Sequence, residues 1–153
     1  MSDNVHMIEY KVTVAANGDR HWYRHGQLHR EDGPAVEYIN GSNIWYLNGK
    51  RHREDGPAVE YAHGDSAWYR NGELHREDGP AVEYINGSNI WYLNGKPHRE
   101  DGPAIEWSNG SKEWYLNDEI LTESEFNERM NPVEMTVAEL ADKLNIKNLK
   151  IVK

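Results

Sequence analysis

Four copies of a His-Arg-Glu-Asp block contain the residue types that could do chemistry in this chain. The blocks begin at His29, His52, His75 and His98. Imidazole and carboxylate groups are common zinc ligands, and neighbouring carboxylates can act as a general acid and base. Either use needs groups that converge on one asymmetric pocket, whereas these blocks recur in equivalent places. We therefore expect the histidines to be structural, and we predict no catalytic residue, no metal site and no cofactor.

The blocks belong to a 23-residue period that runs through most of the chain. Each unit contains a Trp-Tyr pair, and residues 29–50 are identical to residues 75–96. A strict period of this length is typical of an array of small stacked units. Residues present in every unit are expected to serve folding, so we predict a structural role for the tryptophans as well. These are Trp22, Trp45, Trp68, Trp91 and Trp114.

Two Asn-Gly turns in each unit predict consecutive β-hairpins. Asn40-Gly41 and Asn48-Gly49 separate runs of aromatic and β-branched residues, which is a strong hairpin signal. A two-residue turn at Asn40-Gly41 would place Val36 opposite Trp45. The predicted buried face then contains Val36, Tyr38, Trp45, Leu47 and His52. The predicted opposite face contains Ala35, Glu37, Ile44, Tyr46, Arg51 and Arg53.

Two further features of the array are a bend in each unit and an end near residue 118. The Asp-Gly-Pro that ends each block is expected to bend the chain, with its glycine at positive φ. The array should end near residue 118, where the second turn loses its glycine, so we assign residues 1–118 to the array and residues 119–153 to a helical C-terminal appendage. Capping-box patterns at Thr122–Glu125 and Thr136–Glu139 predict two short helices that cover the open sheet end, and residues 148–153 are predicted to form a strand.

Composition and charge limit the classes of partner. The chain has 153 residues, a net charge of −9 and no cysteine. We find no signal peptide and no apolar stretch long enough to cross a membrane, so we expect a cytoplasmic protein. Without clustered lysine and arginine, the chain has no electrostatic reason to bind nucleic acid or an anionic membrane directly. Positively charged partners, including enzymes that bind nucleic acid, are favoured.

The pattern Trp-Tyr-x-Asn-Gly-x-x-His-Arg-Glu-Asp-Gly-Pro-Ala resembles the MORN-repeat superfamily, in the variant form found in phages, giant viruses and some bacteria. The resemblance covers residues 10–118. It implies a mainly β fold, an elongated single-layer antiparallel sheet of consecutive hairpin repeats, to which we add a small C-terminal α-helical cap. It implies no chemistry, because members of the family mostly act as scaffolds or binding surfaces. Ordinary MORN units carry His-Gly-x-Gly where this chain has His-Arg-Glu-Asp-Gly-Pro, so their ligand roles transfer poorly.

The candidate binding surface consists of the tyrosine after each tryptophan and the glutamate beside it on the face opposite the tryptophans. Exposed tyrosines are frequent in protein interfaces, although the same rings could simply cover the second side of a thin sheet. The residues are Tyr23, Tyr46, Tyr69, Tyr92, Tyr115, Glu37, Glu60, Glu83 and Glu106.

The leading hypothesis for function is a non-catalytic protein-binding repeat protein. Given the resemblance to phage repeat proteins, it would be a phage-encoded inhibitor of a host protein, such as a defence nuclease or a CRISPR effector. One alternative is a protein that sequesters a small ligand or nucleotide between aromatic rows, and another is a structural scaffold component. Because the predicted sheet has open edges, a homodimer is also compatible with the sequence.

Overall fold

The protein is mainly β, and its hairpins follow one another in a long antiparallel sheet, which confirms the predicted fold class. The computed structural model describes residues 9–132 and 136–145. The strands are β1 (Lys11–Val14), β2 (Arg20–Arg24), β3 (Gln27–Leu28), β4 (Val36–Glu37), β5 (Asn43–Ile44), β6 (Tyr46–Leu47), β7 (Lys50–Arg51), β8 (Val59–Glu60), β9 (Ser66–Ala67), β10 (Tyr69–Arg70), β11 (Glu73–Leu74), β12 (Val82–Glu83), β13 (Asn89–Ile90), β14 (Tyr92–Leu93), β15 (Lys96–Pro97), β16 (Ile105–Glu106), β17 (Lys112–Leu116) and β18 (Glu119–Leu121). The helices are α1 (Glu123–Met130) and α2 (Val137–Lys143).

The first hairpin of each unit has a three-residue turn, so the two-residue turn predicted at Asn40-Gly41 is wrong. The N–H of Tyr38 donates to the carbonyl of Ser42 at 2.9 Å, and the N–H of Gly41 donates to the carbonyl of Tyr38 at 2.9 Å. Gly41 has φ +91°, but Asn40 has no positive φ, whereas a two-residue type I′ turn needs positive φ at both positions. The Asn40 side chain accepts the N–H of Ser42 at 2.9 Å, which favours the longer turn.

The longer turn shifts the register of the second strand by one residue. Val36 lies opposite Ile44 rather than Trp45, so Ile44, predicted on the open face, is buried together with Val36, whose burial was predicted. Ala35, predicted on the open face, is also buried, and Tyr38, predicted on the buried face, is exposed beside the turn.

The second hairpin of each unit has the predicted two-residue turn. Asn48 and Gly49 have φ +50° and +77°, and Tyr46 pairs with Arg51. The chain leaves the first hairpin at Trp45, whose N–H donates to the carbonyl of Ala58 in the next unit at 2.8 Å. The run of residues 43–47, predicted as one strand, therefore splits into β5 and β6.

The array consists of two rows of hairpins. In the described ranges, twelve strands form the main sheet in the order β1-β2-β4-β5-β8-β9-β12-β13-β16-β17-β18, with β3 paired to β2. Hairpins β6-β7, β10-β11 and β14-β15 form the second row. Consecutive second hairpins are also joined, because Gly49 donates to Leu28 at 2.8 Å and Arg30 donates to Tyr46 at 3.0 Å through their main chains. Every unit is thus held to the next by backbone hydrogen bonds in both rows.

Small apolar side chains form the fully buried core. The alanine after each Asp-Gly-Pro is 0% exposed, and Val36, Ile44 and Val59 are also buried. The tryptophans are only half-buried. A thin sheet offers little depth, so side chains that fit between adjacent strands are buried more completely than large rings. The four alanines are Ala35, Ala58, Ala81 and Ala104.

Helix α1 covers the C-terminal end of the sheet, as predicted. The Thr122 side chain accepts the N–H of Glu125, and the Glu125 carboxylate accepts the N–H of Thr122, which completes the capping box. The helix packs against β17 and β18, where it buries Phe126. Strand β18 pairs with β17, so the sheet continues three residues beyond the boundary predicted at residue 118. Asp118 can replace glycine in the turn because it adopts φ +76°.

Helix α2 begins with the second predicted capping box, in which Thr136 and Glu139 exchange the same two hydrogen bonds. The strand predicted at residues 148–153 lies outside the described residues.

Candidate functional site

An arginine clamp joins each block to the tryptophan of its own unit. The guanidinium of Arg53 lies 4.0 Å from the centroid of the Trp45 ring. It also donates to Asp55 at 3.0 Å, to the Pro57 carbonyl at 3.2 Å and to Glu60 at 2.7 Å. Stacking on an indole and charge-assisted hydrogen bonds both stabilise this position.

The clamp recurs in all four blocks and corrects the predicted position of the arginine. The guanidinium-to-centroid distance is 4.3 Å for Arg30 on Trp22. Arg53 was predicted on the face opposite Trp45, and that prediction is wrong because strand β7 ends at Arg51, so the alternation of faces does not extend to Arg53. The constant step of eight residues from tryptophan to arginine is the sequence signal that could have revealed the clamp. The other two pairs are Arg76 on Trp68 at 4.0 Å and Arg99 on Trp91 at 3.9 Å.

The four glutamates of the candidate binding surface are held by these arginines. Glu37, for example, accepts from Arg30 at 2.8 Å, so its carboxylate already has a cationic partner within the chain. The equivalent distances are 2.7 Å for Glu60, 2.8 Å for Glu83 and 3.2 Å for Glu106. A contribution of these carboxylates to binding stays a prediction.

The glycine of each block makes room for the clamp and does not provide a positive φ. A Cβ atom on Gly56 would lie 2.9 Å from Cζ of Arg53. Glycines at positive φ occur elsewhere, in the hairpin turns, but Gly56 is not among them. The expected reason for the glycine was therefore wrong, because close approach of the guanidinium excludes a side chain there.

The block histidines join successive units. Nδ1 of His29 accepts the main-chain N–H of Asn48, at the second turn of the next unit, at 3.0 Å. Its Nε2 lies 3.2 Å from the Glu31 carboxylate. Nδ1 of His29 also lies 2.9 Å from Oδ1 of the Asn48 side chain, so the ring contacts both the main chain and the side chain of the next unit's turn. The main-chain contact with Nδ1 recurs for His52, His75 and His98.

This arrangement supports the predicted structural role of the histidines, although their partner is the next turn and not a tryptophan ring. Across residues 9–132 and 136–145, no three His, Asp or Glu side chains are grouped as a metal ion would require.

The predicted tyrosine row is half-buried and not fully exposed. Tyr46 and Tyr69 pack against the apolar core cluster. Arg51 donates to the Tyr69 hydroxyl at 3.2 Å, so this pair already makes contacts within the chain. All five tyrosines, Tyr23, Tyr46, Tyr69, Tyr92 and Tyr115, have intermediate exposure.

A different aromatic row is exposed at the tips of the first hairpins. It contains one ring in each of the four units after the first, and an isoleucine follows the ring in the two identical units. We call this set the tip row, and it consists of Tyr38 (37% exposed), Ile39 (72%), Tyr61 (44%), Tyr84 (37%), Ile85 (71%) and Trp107 (38%). Sequence reasoning missed it because Tyr38 was assigned to the buried face of Val36, whereas Tyr38 lies beside the turn, where the sheet no longer covers it. The signal was present, since the residue two positions before the first-turn asparagine or histidine is aromatic in each of these four units.

Hydrogen bonds hold the tips in register along the row. The Asp19 carboxylate accepts the N–H of Ile39 at 2.8 Å, and this bond holds the pKa of Asp19 below its usual range. In the next pair of units, Ser42 Oγ accepts the N–H of Ala62 at 3.0 Å. The same two kinds of bond alternate further along the row: the Asp65 carboxylate accepts the N–H of Ile85, and Ser88 Oγ accepts the N–H of Ser108.

The carboxylates of the blocks form a second exposed series. The side chain of Glu54 is 88% exposed and that of Asp55 is 85% exposed. The hydrogen bond from Arg53 holds the pKa of Asp55 below its usual range, so this group stays ionised at neutral pH. Hydrogen bonds from Arg76 and Arg99 lower the pKa of Asp78 and Asp101 in the same way.

Successive blocks enclose clefts. One cleft of about 720 Å³ lies between the second and third blocks, where Glu54, Asp55, Glu77 and Asp78 line it together with Trp68. The next cleft, of about 790 Å³, repeats this lining one unit further along, with Trp91 as its aromatic ring.

No protein-family model matches the chain, and no curated protein matches it either. In the described part of the chain, no helix combines the length and apolar character needed to cross a lipid bilayer. The resemblance to MORN repeats stays a prediction.

Proposed function

We propose that this protein is a non-catalytic binding protein that presents the tip row and the block carboxylates to a positively charged protein partner. Within that class, we propose an inhibitor of a host enzyme that binds nucleic acid, such as a defence nuclease or a CRISPR effector. The observation that carries the proposal is the tip row, because it exposes six large apolar side chains in regular order.

Exposed apolar side chains in a regular row favour a binding role over a purely structural one. Single exposed apolar residues are common on soluble proteins, whereas contiguous apolar patches mark interaction sites. Tyrosine and tryptophan are also enriched among the residues that contribute most to protein–protein binding. The hydrogen bonds between neighbouring tips reduce the conformational entropy that would be lost on binding.

The charge of the chain supports a basic partner. The net charge is −9, and the block carboxylates are among the most exposed side chains, as Glu54 at 88% illustrates. Complementary charge accelerates association and excludes acidic partners. A surface of this kind could occupy a site that normally receives nucleic acid.

Affinity purification from a bacterial lysate at low and high salt tests the proposal. The tagged protein should capture a basic protein at low salt and release it as salt rises, because screening weakens charge complementarity. The variant with Tyr38→Ala, Tyr61→Ala and Tyr84→Ala should lose that protein. A control with Val14→Ala and Ile120→Ala removes exposed apolar groups outside the row and should keep it. Equal capture by the wild type and the tyrosine variant would contradict the proposal.

A further inference from the structure

Arg51 departs from the repeat in the second row of hairpins. It pairs with Tyr46 across the second turn of its unit. Residues 29–50 and 75–96 are identical, and the position of Arg51 is the first after them at which the two copies differ. A cationic side chain therefore stands in one unit where the others have an apolar one. The equivalent residues are Leu28, Leu74, Pro97 and Ile120.

The Arg51 guanidinium is held in place, but its charge is not paired. Its Nε donates to the Tyr46 hydroxyl at 3.4 Å, its Nη1 donates to the Tyr69 hydroxyl at 3.2 Å, and its Cζ lies 5.2 Å from the centroid of the Tyr69 ring. Across residues 9–132 and 136–145, every other arginine forms an ion pair with a carboxylate, whereas Arg51 forms none. A partly buried charge without a counter-ion lowers stability, and a bound anion would restore it.

The side chains around Arg51 leave hydrogen-bond donors available. An arginine side chain has five N–H donors and no acceptor, and the two tyrosines use two of these donors. Each tyrosine hydroxyl accepts from Arg51, so its own proton can be donated to a further acceptor. The remaining N–H donors and both O–H donors can therefore serve one oxyanion.

An open depression of about 460 Å³ contains this group and has a net positive charge. Lys50 and Glu73 line it together with the arginine and the two tyrosines. The stem of Lys50 lies against the turn of the next unit, where a Cβ atom on Gly72 would be 3.6 Å from that of Lys50. Two cationic side chains and one carboxylate leave one positive charge, which matches a ligand with a single negative charge. The depression therefore favours a carboxylate over a phosphate dianion.

We propose that Arg51, Tyr46 and Tyr69 form a binding site for the carboxylate of a small molecule or a peptide. The carboxylate accepts hydrogen bonds from the guanidinium and from the two hydroxyls, and it provides the counter-ion that Arg51 lacks. None of these residues belongs to the tip row or to a His-Arg-Glu-Asp block, so the site goes beyond the proposed function and does not depend on it.

Titration of the full chain at neutral pH and low salt, followed by amide chemical shifts in NMR spectra, tests the chemistry of the ligand. The probes are acetate, its neutral counterpart acetamide, and the peptides Ala-Asp-Ala and Ala-Asn-Ala with both ends blocked. Acetate and the Ala-Asp-Ala peptide should produce saturable shifts at Arg51 and Tyr69, whereas the neutral probes should not.

The same titrations distinguish the source of the carboxylate. Tighter binding of the Ala-Asp-Ala peptide than of acetate would identify a peptide ligand, and an affinity no higher than that of acetate would identify a small carboxylate. No saturable shift with either carboxylate, equal shifts with the neutral probes, or tighter binding of inorganic phosphate would overturn the inference.

A matched pair of variants locates the binding. Arg51→Leu introduces the residue that Leu28 and Leu74 provide in other units, and it should weaken the binding of acetate about tenfold or more. Arg24→Leu is the control, because it removes the same charge outside the depression and introduces the residue that Leu47 provides in the next unit. The control should keep the affinity of the wild type, and an equal effect of the two variants would overturn the inference.

The melting temperature separates binding from a structural role. Without acetate, Arg51→Leu should melt at the same temperature as the wild type or higher, because the unpaired charge is gone. Acetate should raise the melting temperature of the wild type and not that of Arg51→Leu. A lower melting temperature of Arg51→Leu, together with no effect of acetate on the wild type, would show that Arg51 only supports the tyrosines and would overturn the inference. Capture of a basic partner by the tip row would be unaffected, so the two proposals fail separately.

Discussion

The blocks and the tips of the first hairpins recur with the same period, but the block arginines are held by contacts within the chain, whereas the tip side chains are exposed to solvent. In a block, Arg53 stacks on Trp45 and donates to Asp55, Pro57 and Glu60. Contacts within the chain therefore explain why the tryptophan-to-arginine spacing recurs in each unit.

At the tips, rings and isoleucine side chains are exposed in every described unit that has them. Some tip rings also have internal contacts, since Tyr61 stacks on His63 and Nε1 of Trp107 donates to Glu113 at 2.8 Å. Repetition alone therefore does not distinguish a folding role from a binding role, whereas the exposed fraction of each side chain does.

Removing a clamp should have the largest effect on stability. Arg53→Ala deletes the stacking on Trp45 and three hydrogen-bond contacts, and we expect the free energy of unfolding to fall by about 2–3 kcal/mol. Chemical denaturation measures this loss. Arg70→Ala is the control, because Arg70 is 59% exposed and has a single ion pair at 3.6 Å, and it should change stability by less than about 0.5 kcal/mol. Similar values for both variants would show that the clamp does not stabilise the unit.

Loss of a histidine contact should have a smaller effect. His29→Ala removes the acceptor of the Asn48 N–H, and we expect a loss of about 1–2 kcal/mol in the free energy of unfolding. His63→Ala serves as the control in the same denaturation experiment, since His63 lies at a hairpin tip and its side chain is 61% exposed. An unchanged stability in the His29 variant would exclude a role in joining units.

Acid should weaken the clamps through their aspartates. The pKa of Asp55, Asp78 and Asp101 is lowered by hydrogen bonds from arginine. Their stabilising effect is therefore complete above the pKa of the unfolded chain, about 4, and is lost as pH falls through the lower folded pKa values. Denaturation between neutral pH and about pH 2 should show this decline. A variant with asparagine at all three positions should be less stable at neutral pH and should decline less steeply below about pH 4, and an identical pH profile would contradict the linkage.

Changes in the tip row should have the smallest effect on stability. Tyr38→Ala, Tyr61→Ala and Tyr84→Ala should each lower the free energy of unfolding by about 1 kcal/mol or less, because more than a third of each ring is exposed. Tyr46→Ala is the contrasting variant, since this ring packs against the core cluster, and it should be clearly destabilised. If the tip variants unfold as readily as the Tyr46 variant, the tip row has a folding role.

The two turns of a unit show how far the sequence could predict the fold. Asn48-Gly49 forms the expected two-residue turn, and the main-chain N–H of Asn48 is bound by His29 of the preceding unit. Asn40-Gly41 is the same dipeptide, but the Asn40 side chain accepts the N–H of Ser42 and the turn takes three residues. The dipeptide predicts a hairpin in both places. The two turns differ in the hydrogen bonds of their asparagines, which are made within the turn at Asn40 and with His29 of the preceding unit at Asn48.

The candidate site was less predictable than the fold because Tyr38 and Arg53 lie just beyond the ends of β4 and β7, where the alternation of faces no longer holds. The period identified the hairpins, the helix caps and the residues that hold the units together. The one-residue error placed Ile44 on the open face, and the alternation of faces was extended to Tyr38, which lies beside the turn and is exposed. The stacking of Arg53 on Trp45 was missed because the alternation of faces was extended past the end of β7 at Arg51, although the constant step of eight residues from tryptophan to arginine was visible in the sequence.

Amide hydrogen exchange on the complex with the captured partner tests the central claim most directly. The account predicts protection at the first-hairpin tips, residues 38–41, 61–64 and 84–87, and along the block loops, with little change at the second turns around Asn48 and Asn71. Protection confined to the second turns or to α1 would contradict it, because the partner would then bind a surface other than the tip row and the blocks.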